Sequence, residues 1–235
     1  MQQDVESSHL GNHLSELENW LVLAQIPHFS VATLKKVTAK FRLGLTEIRT
    51  STKESLQAIG FNNQQISTIQ QPNKRLIDKS LSWLHEKNNR FLSYYDHPYY
   101  PPLLKNISSP PPLIYGYGDV NHLNNYQLAM VGSRTPSHSG KEIAKYFANQ
   151  LSQCGWTITS GLATGIDGFA HQGALIGNDN TIAVLGTAID KMYPRRHIKL
   201  AEEILANDGL IISEFAPQTT GRAEFFPRRN RIISG

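Results

Sequence analysis

From Gln127 onward, the chain alternates short apolar runs with longer amphipathic segments, and no other feature limits the fold as strongly. Each apolar run has the length of a buried strand, and the four runs are LAMVG, WTITSG, TIAVLG and GLIISE. Between the first two runs, Ile143, Phe147 and Leu151 recur on one helical face, and Gly155 follows as a terminator. Repeated strand-helix units of this kind predict a doubly wound, mainly parallel α/β sheet.

The N-terminal region has helical periodicity instead. Apolar residues recur every three or four positions in LENWLVLAQI and in VATLKKVTAKF, which predicts short amphipathic helices. Ser30 stands where the second of these segments needs an N-cap, and Gly60 stands where a later helix needs a C-cap. Short helices joined by such turns indicate a small all-α domain of the sterile-alpha-motif or helix-hairpin-helix type.

Between the two patterns lie a helical segment, an aromatic strand RFLSYY and a segment with six prolines between Pro98 and Pro112. So many prolines exclude a helix, but the interleaved Tyr, Leu and Ile residues favour an ordered, packed segment over a disordered linker. The predicted organisation is a flexible tail at 1–14, an all-α domain at 15–75, a connecting region at 76–126 and a Rossmann-like domain at 127–235.

The composition favours a cytoplasmic protein with an anionic partner. The formal net charge is only +4, but basic residues are concentrated near the C-terminus. Against the single acid Glu224, the last fourteen residues contain Arg222, Arg228, Arg229 and Arg231. One cysteine excludes a disulfide framework, and the sequence has neither a transmembrane run nor a signal-peptide pattern. We therefore expect a cytoplasmic protein without a membrane partner.

In parallel α/β sheets, ligands bind beyond the carboxyl ends of the strands, so the loops that follow the apolar runs are the candidate sites. The first loop contains Gly132, Ser133 and Arg134, which offer a tight turn, a hydroxyl group and a guanidinium suited to phosphate. Alone, it also fits an ordinary turn with a solvated arginine. The second loop, SGLATGIDG, has three glycines beginning with Gly161 that permit close approach of a ligand. Neither loop has the G-x-G-x-x-G spacing or the P-loop lysine, so we expect no nicotinamide or ATP cofactor.

Asp167 and His171 lie four residues apart, a spacing that acid-base pairs and metal ligands share. No third ligand or nucleophile accompanies them in the sequence pattern. We interpret Asp167 as an aspartate at a helix start and His171 as a histidine whose hydrogen bonds are satisfied in the core. On this interpretation the chain has neither a metal site nor a catalytic residue.

The last two loops combine basic and aromatic side chains. The third, GTAIDKMYPRRH, brings Lys191, Arg195 and Arg196 together with a tyrosine, a mixture that suits phosphate pairing and base stacking. The fourth, FFPRRNR, places three arginines and the amide of Asn230 beside two phenylalanines. Basic helix starts are usually only solvated, yet this density of arginines beside aromatic rings favours a nucleic-acid site.

Four motifs resemble those of the DNA-processing protein A family, also called DprA or Smf. They are GSR at 132–134, SGLATGIDGFAHQGAL at 160–175, TIAVLGTAIDKMYP at 181–194 and FPRRNRIISG at 226–235. The proline-rich segment and the N-terminal helices are also similar to parts of this family. The resemblance implies a protein that binds single-stranded DNA, forms a homodimer and passes the strand to the RecA recombinase during natural transformation. It implies no cofactor and no catalytic turnover.

The resemblance also implies which residues contact DNA. Arg134 and basic residues on neighbouring loops are expected to line the pocket, while Phe226, rather than Phe225, is expected to stack a base. The complete set of expected DNA-binding residues is Gly132, Ser133, Arg134, Gly161, Lys191, Arg195, Arg196, Phe226, Arg228, Arg229, Asn230 and Arg231.

Two departures from the family pattern affect these expectations. Ala188 replaces a second glycine that the family usually has, and the chain stops at Gly235 within the helix that FPRRNRIISG opens. The resemblance implies that the domain continues beyond this point. We therefore expect the Rossmann-like domain to be incomplete at its C-terminus and to lack most of the regions that contact the second subunit and RecA.

Two other functions fit parts of the sequence. Rossmann enzymes of the phosphoribohydrolase, or lysine-decarboxylase-like, type also have glycine-rich loops after their strands, but their PGGxGTxxE signature does not occur in this sequence. Helix-hairpin-helix units bind duplex DNA, yet the balanced charge of the N-terminal helices favours a protein-protein or auxiliary DNA role.

Overall fold

The computed structural model describes residues 16–178 and 181–235, so the predicted tail at 1–14 lies outside the described residues. Contacts within the chain cluster into two units. One unit runs to Leu81 and includes Ser109–Leu113, and the other comprises Ser82–Ser108 and Ile114–Gly235. The predicted boundaries at 75 and 126 stay predictions, because contact units and sequence domains need not divide at the same residues. No helix among the described residues has both the length and the hydropathy that crossing a bilayer requires.

The first unit is built from short helices. They are residues 16–23 (α1), Val31–Phe41 (α2), Leu45–Thr50 (α3), Lys53–Ile59 (α4), Asn63–Gln70 (α5) and the start of Lys74–His85 (α6). The predicted caps are confirmed: Ser30 accepts a hydrogen bond from the Thr33 amide at 3.1 Å, and Gly60 ends α4 at a φ of 106°. Trp20 and Ile48 are fully buried, so these helices enclose a core of their own.

The second unit contains a six-stranded sheet. Its strands are Arg90–Tyr94 (β1), Leu113–Gly118 (β2), Gln127–Ala129 (β3), Thr157–Ser160 (β4), Thr181–Val184 (β5) and Leu210–Ser213 (β6). The helices of its parallel part are His138–Gln153 (α7), Ile166–Ile176 (α8), Ile198–Ala206 (α9) and Phe225–Ile233 (α10). The strand order is β1-β2-β6-β5-β4-β3.

The four strands from β3 to β6 are parallel, as the alternating pattern predicts. They lie side by side in chain order, and right-handed crossovers then place α7, α8 and α9 on the same face of the sheet. The helices pack closely there, because Ala148 of α7 and Ala170 and Ala174 of α8 form a buried cluster with Ile158 of β4. Among the described strands the order does not reverse, so the candidate site lies along the carboxyl ends of strands and not at a topological switch point.

The sequence pattern did not predict β2. The connecting region was expected to pack on a surface, but its end enters the sheet and pairs antiparallel with β6, with Tyr115 opposite Ser213. Ile114 and Tyr115 are buried, and the Trp83 ring meets the Tyr115 ring edge-on at 5.8 Å. Because β2 is antiparallel to β6, the sheet is mixed. Its parallel part consists of β3 to β6, the strands that the candidate loops follow.

Candidate nucleic-acid interface

The first two candidate loops touch each other at the start of α8. The Ile166 amide donates a hydrogen bond to the Ser133 carbonyl oxygen at 3.1 Å, and Gly132 lies against the Ile166 side chain. Gly165 has a φ of 86° and faces the Ser133 carbonyl so closely that no side chain fits there. The GSR loop is therefore held by backbone contacts, which leave the Arg134 side chain free of this supporting role.

Arg134 lines a pocket of about 440 Å³, which we call the Arg134 pocket. Its other lining residues include Gly132, Ala163, Asp167 and Asn230. The Arg134 side chain is exposed, and within residues 16–178 and 181–235 it makes neither an ion pair nor a hydrogen bond. The donors of this guanidinium are thus available to an anion that enters the pocket.

Arg229 also borders this pocket but is buried, with 4% of its surface exposed. Its Nη1 donates to the Gly161 carbonyl oxygen at 2.7 Å and also to the Val184 carbonyl oxygen. Gly161 leaves room for the guanidinium that no side chain would leave, and its amide donates to Asp167 Oδ2 at 3.1 Å. Burial lowers the pKa of Arg229, an effect that the Asp167 carboxylate opposes and the Arg134 guanidinium strengthens.

The expectation that Gly161 and Arg229 contact DNA directly stays a prediction, because in the described structure these two residues contact each other. The room above Gly161 is filled by Arg229 of the same chain, and the backbone groups of Gly161 are already paired. The two residues instead join the ends of β4 and β5 to α10. They therefore hold in place the segments that line the Arg134 pocket.

Glu214 is the feature that the sequence analysis missed. Its carboxylate follows β6 directly, is only 3% exposed, and accepts two hydrogen bonds from Arg231 at 3.1 and 2.7 Å. Arg228 adds a third at 3.1 Å. The Arg231 side chain is 20% exposed and mostly committed to this pair, whereas Arg228 is 57% exposed and keeps donors facing solvent. The position of Glu214 after a strand is the same signal that identified the other loops.

The two phenylalanines at the start of α10 have different surroundings. Phe225 stacks on Phe215 at 4.0 Å with the ring planes 16° apart, so its face is occupied. Phe226 is half-buried between Gly186 and the Tyr193 ring, whose centroid is 5.4 Å away. Phe226 precedes Asn230 by one helical turn, which is about 6 Å along the helix axis. It is therefore next to the Arg134 pocket and outside its lining.

The third loop carries three cations close to Tyr193 in the sequence. Arg195 and Arg196 are exposed, and neither has an ion-pair partner in the described part of the chain. The Lys191 side chain is exposed, and its Nζ donates to the Thr219 carbonyl oxygen at 3.5 Å. We call the surface formed by Tyr193, Phe226, Lys191, Arg195 and Arg196 the Tyr193 surface. Of the twelve predicted site residues, four belong to this surface and five line the Arg134 pocket, whereas Ser133, Gly161 and Arg228 belong to neither.

Asp167 and His171 both point into the protein. Asp167 holds the Gly161 amide, and the His171 Nδ1 shares a 2.7 Å hydrogen bond with Thr181 Oγ1. Burial, strengthened by His197 and Arg229, lowers the pKa of His171 to about 3. The His171 Nε2 has no hydrogen-bond partner, so the expectation of a satisfied histidine holds for one nitrogen only. The described residues contain no group of three side chains placed to hold a metal ion.

A sequence model described as DNA recombination-mediator protein A matches residues 91–235, which is more than half of the chain. The chain belongs to this family. A second model, described as the SMF/DprA SAM domain, matches residues 14–82.

Curated relatives support the same assignment. Protein Smf of Escherichia coli strain K12 is 41% identical over 180 residues, which are 77% of this chain and 48% of that protein. Protein Smf of Synechocystis is 36% identical over 226 residues, or 94% of this chain and 56% of that protein. The chain thus spans about half the length of the curated relatives it matches.

Two solved structures are also similar. The DNA processing protein A of Streptococcus pneumoniae has a TM-score of 0.71 and 28% identity, and the match covers 92% of this chain and 72% of that one. The Helicobacter pylori DNA processing protein A, whose structure was described for its single-stranded DNA binding mode, has a TM-score of 0.55 and 29% identity. That match covers 61% of this chain and 64% of the other.

Proposed function

We propose that this chain binds single-stranded DNA at the Arg134 pocket, with phosphate groups paired to Arg134 and a base stacked on Phe226. The observation that carries the proposal is the exposed, unpaired guanidinium of Arg134 in the lining of a pocket. Unpaired arginines at a concave site are suited to phosphate, because their planar fork of donors matches two phosphate oxygens.

The charges around the pocket support a polyanionic ligand. Four arginines at or beside it, counting the two that Glu214 binds, exceed the two carboxylates of Asp167 and Glu214. Glu214 and Asp167 are buried and engaged in hydrogen bonds, so the charge that faces solvent is mainly that of Arg134 and Arg228. A DNA backbone placed here would release counterions, and its affinity would fall as salt concentration rises.

The aromatic ring supports a preference for single strands. Bases of a duplex are already stacked on one another, whereas an unpaired base gains free energy from stacking on a protein ring. The similar Helicobacter pylori protein, described for its single-stranded DNA binding mode, is consistent with this preference. Stacking and phosphate pairing read no base edge, so little sequence selectivity is expected.

We extend the proposal to a homodimer that passes bound DNA to RecA during natural transformation, without catalytic turnover. The support is the family assignment, whose description is that of a recombination mediator. The likeness of the chain to proteins named for DNA processing adds to it.

The test compares Arg134→Ala with Arg75→Ala by fluorescence anisotropy on a labelled single-stranded oligonucleotide. Arg75 is an exposed arginine of α6, so its replacement removes the same charge far along the chain from the candidate loops. We expect the Arg134 variant to bind more weakly and its plot of log affinity against log salt to flatten by about 0.7, the contribution of one single-strand phosphate contact. The Arg75 variant should behave like the parent chain.

Full affinity and an unchanged salt dependence in the Arg134 variant would refute the proposed site. A duplex of the same sequence should bind more weakly than the single strand. Steady release of free base from a nucleoside monophosphate would instead favour the phosphoribohydrolase alternative.

A further inference from the structure

Tyr193 is the tyrosine of the third loop, whose composition suits base stacking, but it is not in the set of expected DNA-binding residues. Its surface is 54% exposed, it lies in the loop between β5 and α9, and its ring contacts that of Phe226. Because one side of the ring is covered by Phe226, the exposed side is available to a flat apolar group such as a base.

The ring pair cannot hold a base between its members. The two centroids are 5.4 Å apart with the planes tilted by 51°, which is direct ring-to-ring contact. Each ring can therefore offer only its outer side. Because the planes differ in tilt, two bases that stack on the two outer sides must be unstacked from each other, which a flexible single strand allows and a duplex does not.

The charges beside Tyr193 suit the backbone of the same strand. Arg195 and Arg196 follow it in the chain, are exposed and lack ion-pair partners within the described residues. Asp190 is the acidic residue nearest to Tyr193 in this loop. Both of its carboxylate oxygens accept from the backbone amide of Gln218, at 2.9 and 3.0 Å. The two arginines next to Tyr193 in the sequence therefore keep their donors available to phosphate groups.

We propose that Tyr193 is a second stacking residue, which takes the nucleotide next to the one on Phe226 and directs the strand toward Arg195 and Arg196. This inference rests on the proposed single-stranded DNA site. It enlarges that site from the Arg134 pocket to a path that runs past Asn230, Phe226 and Tyr193. The ring of Tyr193, not its hydroxyl group, makes the contact.

The test measures oligonucleotide binding by the 235-residue chain and its variants Tyr193→Ala, Tyr193→Phe and Tyr146→Ala. Tyr146 is a matched control, because it is 61% exposed and contacts Phe147 at 5.8 Å, but it lies on α7 away from the candidate loops. Tyr193→Ala should weaken binding between about 5-fold and 150-fold, the range that corresponds to one stacked base. Its salt dependence should not change, since no phosphate contact is lost. Tyr193→Phe and Tyr146→Ala should bind like the parent.

A fluorescent base, 2-aminopurine, placed at successive positions of the oligonucleotide reports stacking directly. Quenching at two adjacent positions in the parent and at one in Tyr193→Ala is the expected result. Parent-like affinity and quenching in Tyr193→Ala would overturn the inference and leave the Arg134 site standing. Equal losses in Tyr193→Phe or Tyr146→Ala would overturn it too. A parent chain whose binding does not depend on Arg134 would overturn the proposed function itself.

Discussion

Replacing Arg229 with Met tests whether a buried arginine supports the candidate site from inside. The change removes the donors to the Gly161 and Val184 carbonyl oxygens, while the flexible methionine fills most of the volume of the arginine stem. Each carbonyl left without a donor in the interior costs about 1–3 kcal/mol, so the two together lower the free energy of unfolding by about 2–6 kcal/mol. That is a large fraction of the total of about 5–15 kcal/mol that small proteins have.

Arg228→Met is the control, because Arg228 is adjacent in sequence and mostly exposed. Its loss should cost about 0–1 kcal/mol, because the Arg228 side chain is 57% exposed and Glu214 keeps its two hydrogen bonds from Arg231. Both variants are compared with the parent by urea unfolding followed by tryptophan fluorescence. If Arg229→Met loses no more stability than Arg228→Met, the two carbonyl hydrogen bonds do not carry the stated free energy.

The same variant also separates support from contact. Arg229→Met should weaken single-stranded DNA binding because α10 loses its tie to the ends of β4 and β5, but the salt dependence should stay that of the parent. A flatter salt dependence, like that expected of Arg134→Ala, would mean that Arg229 pairs with phosphate after all.

Two further predictions concern buried charge. The pKa of His171 is about 3 when folded and near 6.5 when unfolded, so between these values the unfolded chain binds more protons. Stability is then fully present above about pH 6.5 and falls by about 1.4 kcal/mol per pH unit below it. The free energy of unfolding of the parent and of His171→Asn is measured by urea unfolding from about pH 7 to about pH 5, and the variant should lose this dependence on pH. If the dependence is unchanged, other groups cause it. Glu214→Gln should lower stability by about 1.5–3 kcal/mol, because it weakens charge-assisted hydrogen bonds, yet strengthen DNA binding by removing a negative charge. Glu202→Gln on α9 is its exposed control, and equal effects on stability in the two variants would contradict the role of burial.

Local sequence signals predicted much of the second unit and of its candidate loops. Apolar runs predicted β3 to β6, and the residues that follow them in the chain meet at one edge, because parallel strands end at the same edge. Arg134 could be singled out in this way, since a short loop after a strand leaves a long polar side chain no core to enter. The strand β2 was missed because proline-rich surroundings masked its short apolar stretch.

The sequence by itself could not predict which role each arginine of α10 has in the site. Arg229 lies three and four residues before the buried Ile232 and Ile233, so helical periodicity places all three side chains on one face. That signal predicts burial for Arg229, but a guanidinium can be buried only where hydrogen-bond acceptors are in place to pair with it. Its acceptors belong to residues 68 and 45 positions away, at the ends of β4 and β5. Local periodicity and turn chemistry therefore determined the elements and the exposed cation of the site. Packing between segments that are distant in the sequence decided that Arg229 is buried against the ends of β4 and β5 and that the Tyr193 ring faces solvent.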